Sequence, residues 1–322
     1  MISRALLLLA LCGFLLDAQS PARQRSKRTV TDAEVQRVHS SLILIDTHND
    51  ITSRTVDGLD IGQPSKTTQT DLPRLKKGGV GAQFFAVYVA ATYVQGNHSA
   101  KRTLDMIDTV KHDIIARYPN DFMYATTAAD IREAHRQHKI AALMGIEGGH
   151  AIEDDVRLLR RFYEQGVRYM TLTHFNSNHW ADSSGDPSKP NNGLSPFGKQ
   201  VIAEMNRLGM IVDISHVSDK TFWDALETSK APIFASHSSS RAITNVPRNM
   251  TDEMIVALAK KGGVVQVNLN CGFLNQGAAD AEAAQSASLG PRLDELRRRY
   301  ANDPDKLEAA SEGRPFAGTS GW

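Results

Sequence analysis

His48 and Asp50 stand two residues apart, so at an extended strand end their side chains project to the same side and could grip one cation. Asn49-Asp50 is also a common turn dipeptide, and the residues by themselves leave both readings open. Glu147 closes the apolar run Ala141–Ile146 and precedes Gly148-Gly149, where missing side chains would let the backbone pass close to a ligand. His174, His216 and His237 each follow a further apolar run. Imidazole and carboxylate are ligands for divalent cations. A carboxylate can also bridge two of them, and two cations about 3.5 to 4 Å apart can activate water for hydrolysis. A single histidine after one strand is ordinarily structural. Metal-competent side chains after five separate apolar runs are hard to explain that way.

The elements that must position these residues follow from the same runs. Leu42–Ile45, Ala82–Val89, Ala141–Ile146, Tyr169–Leu172, Ile211–Ile214, Ile233–Ala235 and Val264–Val267 are nearly continuous apolar segments, as expected of buried parallel strands. Helical patterns alternate with them at Ala100–Tyr118, Val156–Gln165, Pro196–Leu208, Asp219–Ser229 and Asp252–Lys261. Repeated βα units predict an α/β fold with a parallel sheet, either open or closed into a barrel. The strand ends of such a barrel converge on one face, where active sites are built. Seven strands are legible, one short of a complete barrel.

The 322 residues carry 37 Lys plus Arg against 36 Asp plus Glu, a formal net charge of +1. That balance excludes nucleic-acid binding driven by bulk charge. Apolar residues at 41% and charged residues at 23% are enough for a packed core. The basic start Met1–Arg4, the apolar run Ala5–Leu16 and the small Ala18 read as a cleaved secretory signal over residues 1–18, because the apolar run is too short to span a bilayer. Residues 19–31, with the basic cluster Arg25-Ser26-Lys27-Arg28, read as a propeptide or flexible segment, and residues 32–322 as the barrel domain. An extracellular or cell-surface location follows, and the sequons at Asn97 and Asn249 then become glycosylation candidates, Asn97 the better one. Cys12 leaves with the signal, so Cys271 stays without an internal partner and is expected buried and reduced, the alternative being a pairing between chains.

Several segments together carry a resemblance. Ile146-Glu147-Gly148-Gly149, continuing through Leu159, Tyr163 and Gly166-Val167-Arg168, resembles the signature of the membrane (renal) dipeptidase family of binuclear zinc metallopeptidases. Asp46-Thr47-His48-Asn49-Asp50, Thr171-Leu172-Thr173-His174, Asp213-Ile214-Ser215-His216-Val217-Ser218 and Ser236-His237-Ser238-Ser239 are similar to its other motifs, in order, over roughly Asp32 to Leu274. The resemblance implies a TIM-like (β/α)8 barrel of the metal-dependent hydrolase type, lacking its eighth strand in this chain, and two zinc ions per chain, the first on His48 and Asp50, the second on His216 and His237, with Glu147 bridging. It implies further that His174 acts with Glu147 in catalysis and contacts substrate, and that Arg248 binds the terminal carboxylate of a dipeptide. It also implies that the chain acts as a homodimer.

One departure matters. The stretch Leu289–Leu307 reads as helix and Gly313–Trp322 as a Gly-rich tail, so the eighth-strand motif with its proton-shuttling aspartate has no counterpart. The barrel domain therefore reads as C-terminally incomplete. A truncated isoform or a catalytically silent metal-binding relative is the alternative reading, and an amidohydrolase of cyclic amides or phosphoesters is a third. Membrane attachment is expected only of a longer form carrying a lipid-anchor signal.

Overall fold

The computed structural model describes residues 29–312 and divides the chain into two units, residues 1–41 and 42–322. The signal segment and the Arg25–Arg28 cluster lie outside the described residues. In the first unit Asp32–Ser40 is a helix opened by a capping box between Thr31 and Glu34.

Among its described residues the second unit has eight strands: β1 (Leu44–Asn49), β2 (Val80–Tyr88), β3 (Phe122–Tyr124), β4 (Ile140–Glu147), β5 (Val167–Thr171), β6 (Ile211–Asp213), β7 (Phe234–Ser238) and β8 (Val264–Val267). Seven of them pair in parallel in the order β1-β2-β4-β5-β6-β7-β8 and curl into a nearly closed barrel, while β3 pairs with β4 off this path. The expected strand count therefore matches the barrel path. The three-residue β3 escaped the sequence reading because it is too short to show a hydrophobic pattern. Among the described residues β1 and β8 do not pair, which leaves a seam edged by exposed Leu44, Val264 and Val267. β1 nonetheless reaches β7 at the functional end, where Thr47 Oγ1 donates to Ser236 O at 2.7 Å.

Two apolar layers explain why the strands read as continuous runs. Phe85, Val87, Ala142, Met144, Ile146, Met170 and Val212 pack outward against the helices, while Ala82, Phe84, Ala141, Leu143, Tyr169 and Phe234 fill the barrel interior. The period of two along β4 then sets Glu147 on the same inward face as Ala141 and Leu143. Gly145, between them, makes room for the Tyr169 ring: a Cβ there would lie 2.0 Å from Tyr169 Cζ.

The covering helices start where the sequence has cap residues. Thr127, Asp155, Ser195, Ser218 and Thr251 each accept a backbone N–H in the first turn of Ala128–Arg136, Val156–Glu164, Pro196–Leu208, Asp219–Thr228 and Asp252–Lys260. Two expected helices differ. Ala100–Tyr118 is α-helical only over Ser99–Thr109 and continues as a π-helix over Val110–Ala116. Leu289–Leu307 divides between Gln276–Arg299 and Pro304–Glu312, because proline at a first helical position starts a new helix. Cys271, expected buried, is exposed at the start of Cys271–Leu274. No helix among the described residues is long and apolar enough to cross a membrane.

Asp71 offers a test of the frame. It accepts from Ser65 N at 2.9 Å, Arg74 N at 2.8 Å and Arg74 Nε at 2.7 Å, at the start of Leu72–Lys77. Those bonds, the Arg74 side chain's first, hold its carboxyl down at about 2, from an ordinary 3.8. A depressed carboxyl stabilises the folded state above its unfolded pKa and ceases to do so as pH falls through the folded one. Asp71→Ala should therefore cost about 1–2 kcal/mol at pH 7. In urea titrations that difference should shrink between pH 4 and pH 2; a pH-independent difference would contradict the assignment.

Candidate metal centre

Each predicted ligand, and His174, predicted to contact substrate, sits at the C-terminal rim. His48 lies in β1, with Asp50 just beyond it, Glu147 is the last residue of β4, and His237 lies within β7. His174 and His216 follow β5 and β6 on the connecting loops. The structure brings the other five together around Glu147. Its Oε2 lies 3.4 Å from His48 Nε2, while its Oε1 lies 3.0 Å from His216 Nε2, 3.3 Å from His237 Nε2 and 3.8 Å from His174 Nε2. One carboxylate thus turns its two oxygens toward two sets of imidazoles. Asp50 Oδ1 lies 3.2 Å from His48 Nε2, and the rings of His48 and His237 stack at 3.8 Å.

Electrostatics separate the members. Burial is the largest influence on Glu147 and opposes its charge, but His48, His174, His216 and His237 together hold it well below the usual carboxylate range. Burial pushes His174 down to about 3 and His237 to about 4, and lowers His216 strongly as well. These imidazoles are neutral at pH 7, with lone pairs available. His48 is the exception. Burial disfavours its charge, yet Tyr169, Asp50 and Glu147 outweigh it and raise the group well above its ordinary value.

The residues fit a metal ion. Buried nitrogens and carboxylate oxygens fall within 4.8 Å of one another in two overlapping groups, His48–Glu147–His237 and Glu147–His174–His216. Asp50 Oδ1 is a buried acceptor with no hydrogen-bond donor, which a cation would satisfy. The resemblance pairs His237 with His216, whose Nε2 atoms are 2.9 Å apart, whereas the ligand-atom groups place His237 with His48. His216 itself holds φ of +68°, a left-handed conformation that is uncommon for a non-glycine residue and gathers at functional sites.

Arg248 is drawn into the site although a lone arginine in a loop ordinarily faces solvent. Its Nη2 donates to His237 O at 3.3 Å, its guanidinium lies 5.2 Å over the Phe273 ring, and its Nη1 is buried with no partner. Burial lowers it to about 10, so it stays cationic at pH 7. Asn249 explains the placement. It is 1% exposed, and its Nδ2 donates to Thr244 O at 2.9 Å and Phe273 O at 3.0 Å, fixing the loop that carries Arg248. This corrects the reading of Asn249 as a glycan acceptor, because a glycan on that nitrogen would displace both bonds. Asn97 is exposed in a turn.

Three further residues stand behind the ligands and were not singled out by their types alone: Tyr169, Asp213 and Ser236. Tyr169 and Asp213 looked like ordinary strand members, and only the curled sheet aims them inward.

The sequence profile of the membrane dipeptidase family (peptidase family M19) matches residues 32–302. The chain belongs to the membrane dipeptidase family. Two "uncharacterized dipeptidase" relatives from Schizosaccharomyces pombe (strain 972) resemble this member. One is 38% identical over 248 residues, covering 72% of this chain and 60% of its own length. The other is 34% identical over 283 residues, covering 82% and 68%. The crystal structure of a metallo peptidase from Rhodobacter sphaeroides, liganded with a phosphinate mimic of the dipeptide L-Ala-D-Ala, is similar with a TM-score of 0.64 and 27% identity, over 73% of this chain and 76% of that one. The chain thus spans about 60% of the length of the first of these relatives. Membership in this metallopeptidase family gives the imidazole–carboxylate cluster its chemical context.

Proposed function

We propose that this member is a zinc-dependent dipeptidase that hydrolyses the amide bond of dipeptides, with two zinc ions per chain. The observation that carries the reading is the division of Glu147, one oxygen toward His48 and the other toward His216 and His237. In this reading His48 and Asp50 would hold the first ion, His216 and His237 the second, and Glu147 would serve both. Bound ions would supply a nucleophile from water at neutral pH and polarise the scissile carbonyl.

The chain's own residues do the rest. The unpartnered Nη1 of Arg248 offers a donor to the substrate's terminal carboxylate, and a buried guanidinium binds such a group strongly and with direction. His174, neutral and edge-on to Tyr88 and Phe175, can donate an N–H to the developing oxyanion. The proposal includes entry to the secretory pathway through residues 1–18, action outside the cell or at its surface, and a homodimeric state.

Hydrolysis of Gly-D-Phe by the purified protein tests the reading. Activity should vanish on chelation and return with Zn2+. A folded, zinc-loaded protein that cleaves no dipeptide would make the chain a silent metal-binding relative instead.

A further inference from the structure

We infer that two different buried hydroxyl devices orient two imidazoles of the centre: Tyr169 serves His48, and Ser236 backed by Asp213 serves His237. The inference rests on the metal-centre reading and concerns how this chain prepares its ligands.

The donors can be counted. The Tyr169 hydroxyl has one proton, and it goes to Thr47 O at 3.0 Å, because a carbonyl can only accept. The phenol oxygen must then accept at its 2.9 Å contact with His48 Nδ1. His48 is thereby fixed with its proton on Nδ1, and Nε2 faces Glu147 and Asp50. A phenol can stand inside the barrel there because Gly145 leaves room for its ring.

The second device has the same logic with different chemistry. Asp213 accepts from Thr171 Oγ1 at 2.5 Å, Ser215 N at 3.1 Å, Ser236 N at 2.9 Å and Ser236 Oγ at 2.6 Å. The serine's one proton is committed to that carboxylate. Its oxygen therefore accepts from His237 Nδ1 at 2.8 Å, and His237 Nε2 faces Glu147 Oε1. Ser215 Oγ also accepts from the His237 backbone N at 3.0 Å, holding the strand beneath the ring.

Thr47 joins the two. Its carbonyl accepts from Tyr169 and its hydroxyl donates to Ser236 O. A continuous buried path thus runs from His48 through Tyr169, Thr47 and Ser236 to His237, bridging β1 and β7, which share no ladder. Groups that orient a ligand in this way typically set metal affinity by 10–100-fold.

The test is equilibrium titration with Zn2+, and with Co2+ for its absorption spectrum, of wild type, Tyr169→Phe, Ser236→Ala and Ser236→Thr. Wild type should bind two ions. Tyr169→Phe, which keeps the ring, should weaken one of them by about 10–100-fold, and Ser236→Ala the other by a similar factor. Ser236→Thr, retaining the hydroxyl, should restore wild-type binding. Ring nitrogen NMR of the zinc-loaded protein should show Nδ1 of His48 and His237 protonated, with the His48 resonance altered in Tyr169→Phe and that of His237 in Ser236→Ala. Equal weakening of both ions in each variant would mark Tyr169 and Ser236 as merely structural, and wild-type affinity in both variants would overturn the inference alone. A wild type that binds no Zn2+ would overturn the metal-centre reading, and this inference with it.

Discussion

Glu147→Gln is expected to empty both ion positions together and to lower dipeptide hydrolysis by on the order of 10²–10⁴-fold. The amide replaces one acceptor oxygen with an NH2 donor and removes the negative charge. That charge faces four imidazoles at 3.0 to 3.8 Å inside a buried site. Removing one partner of a buried charged cluster costs about 3–5 kcal/mol, and each 1.4 kcal/mol is about tenfold. Metal analysis of the purified variant, with thermal unfolding to establish that it is folded, separates loss of ions from loss of fold. Retention of two ions with near wild-type hydrolysis would refute the shared-carboxylate assignment.

Arg248→Ala should act on the other half of the chemistry. Its expected signature is a KM about 10²-fold higher for free dipeptides, with metal content unchanged. The reason is local. The guanidinium is buried, one of its terminal nitrogens is tied to His237 O, and the other has no partner. Truncating a buried charged donor typically costs about 2–5 kcal/mol of binding. Lysine should not rescue it, because an ammonium lacks the planar fork that meets a carboxylate with two parallel bonds. Comparing each dipeptide with its C-terminal amide makes the test specific. Wild type should discriminate strongly between the two, and Arg248→Ala hardly at all. Unchanged discrimination would remove Arg248 from the substrate site.

His48, Asp50, Glu147, His174, His216 and His237 were legible in the sequence because of where they fall. Each follows an apolar run that strand burial requires, and parallel strands joined by helices deliver their C-terminal ends to one rim. The alternation along β4 even fixes the face on which Glu147 lies. Those are local rules of period and order, and sequence carries them. The inward aim of Tyr169 is different in kind, since it depends on Gly145 one strand away leaving space for the ring. So is the capture of Arg248, which follows from Asn249 bonding to the carbonyls of Thr244 and Phe273. The same sequon read as a surface acceptor because nothing in three residues reports burial. β3 and the π-helix over Val110–Ala116 were invisible for a related reason: one is too short for a pattern, and the other keeps an apolar spacing close to that of an α-helix. Sequence alone determined which side chains reach the rim and in what order. Only the tertiary structure decided that a single carboxylate stands between them, that buried hydroxyls turn the rings, and that one arginine is left with a free donor, because each of these is a contact between strands or loops far apart in the chain.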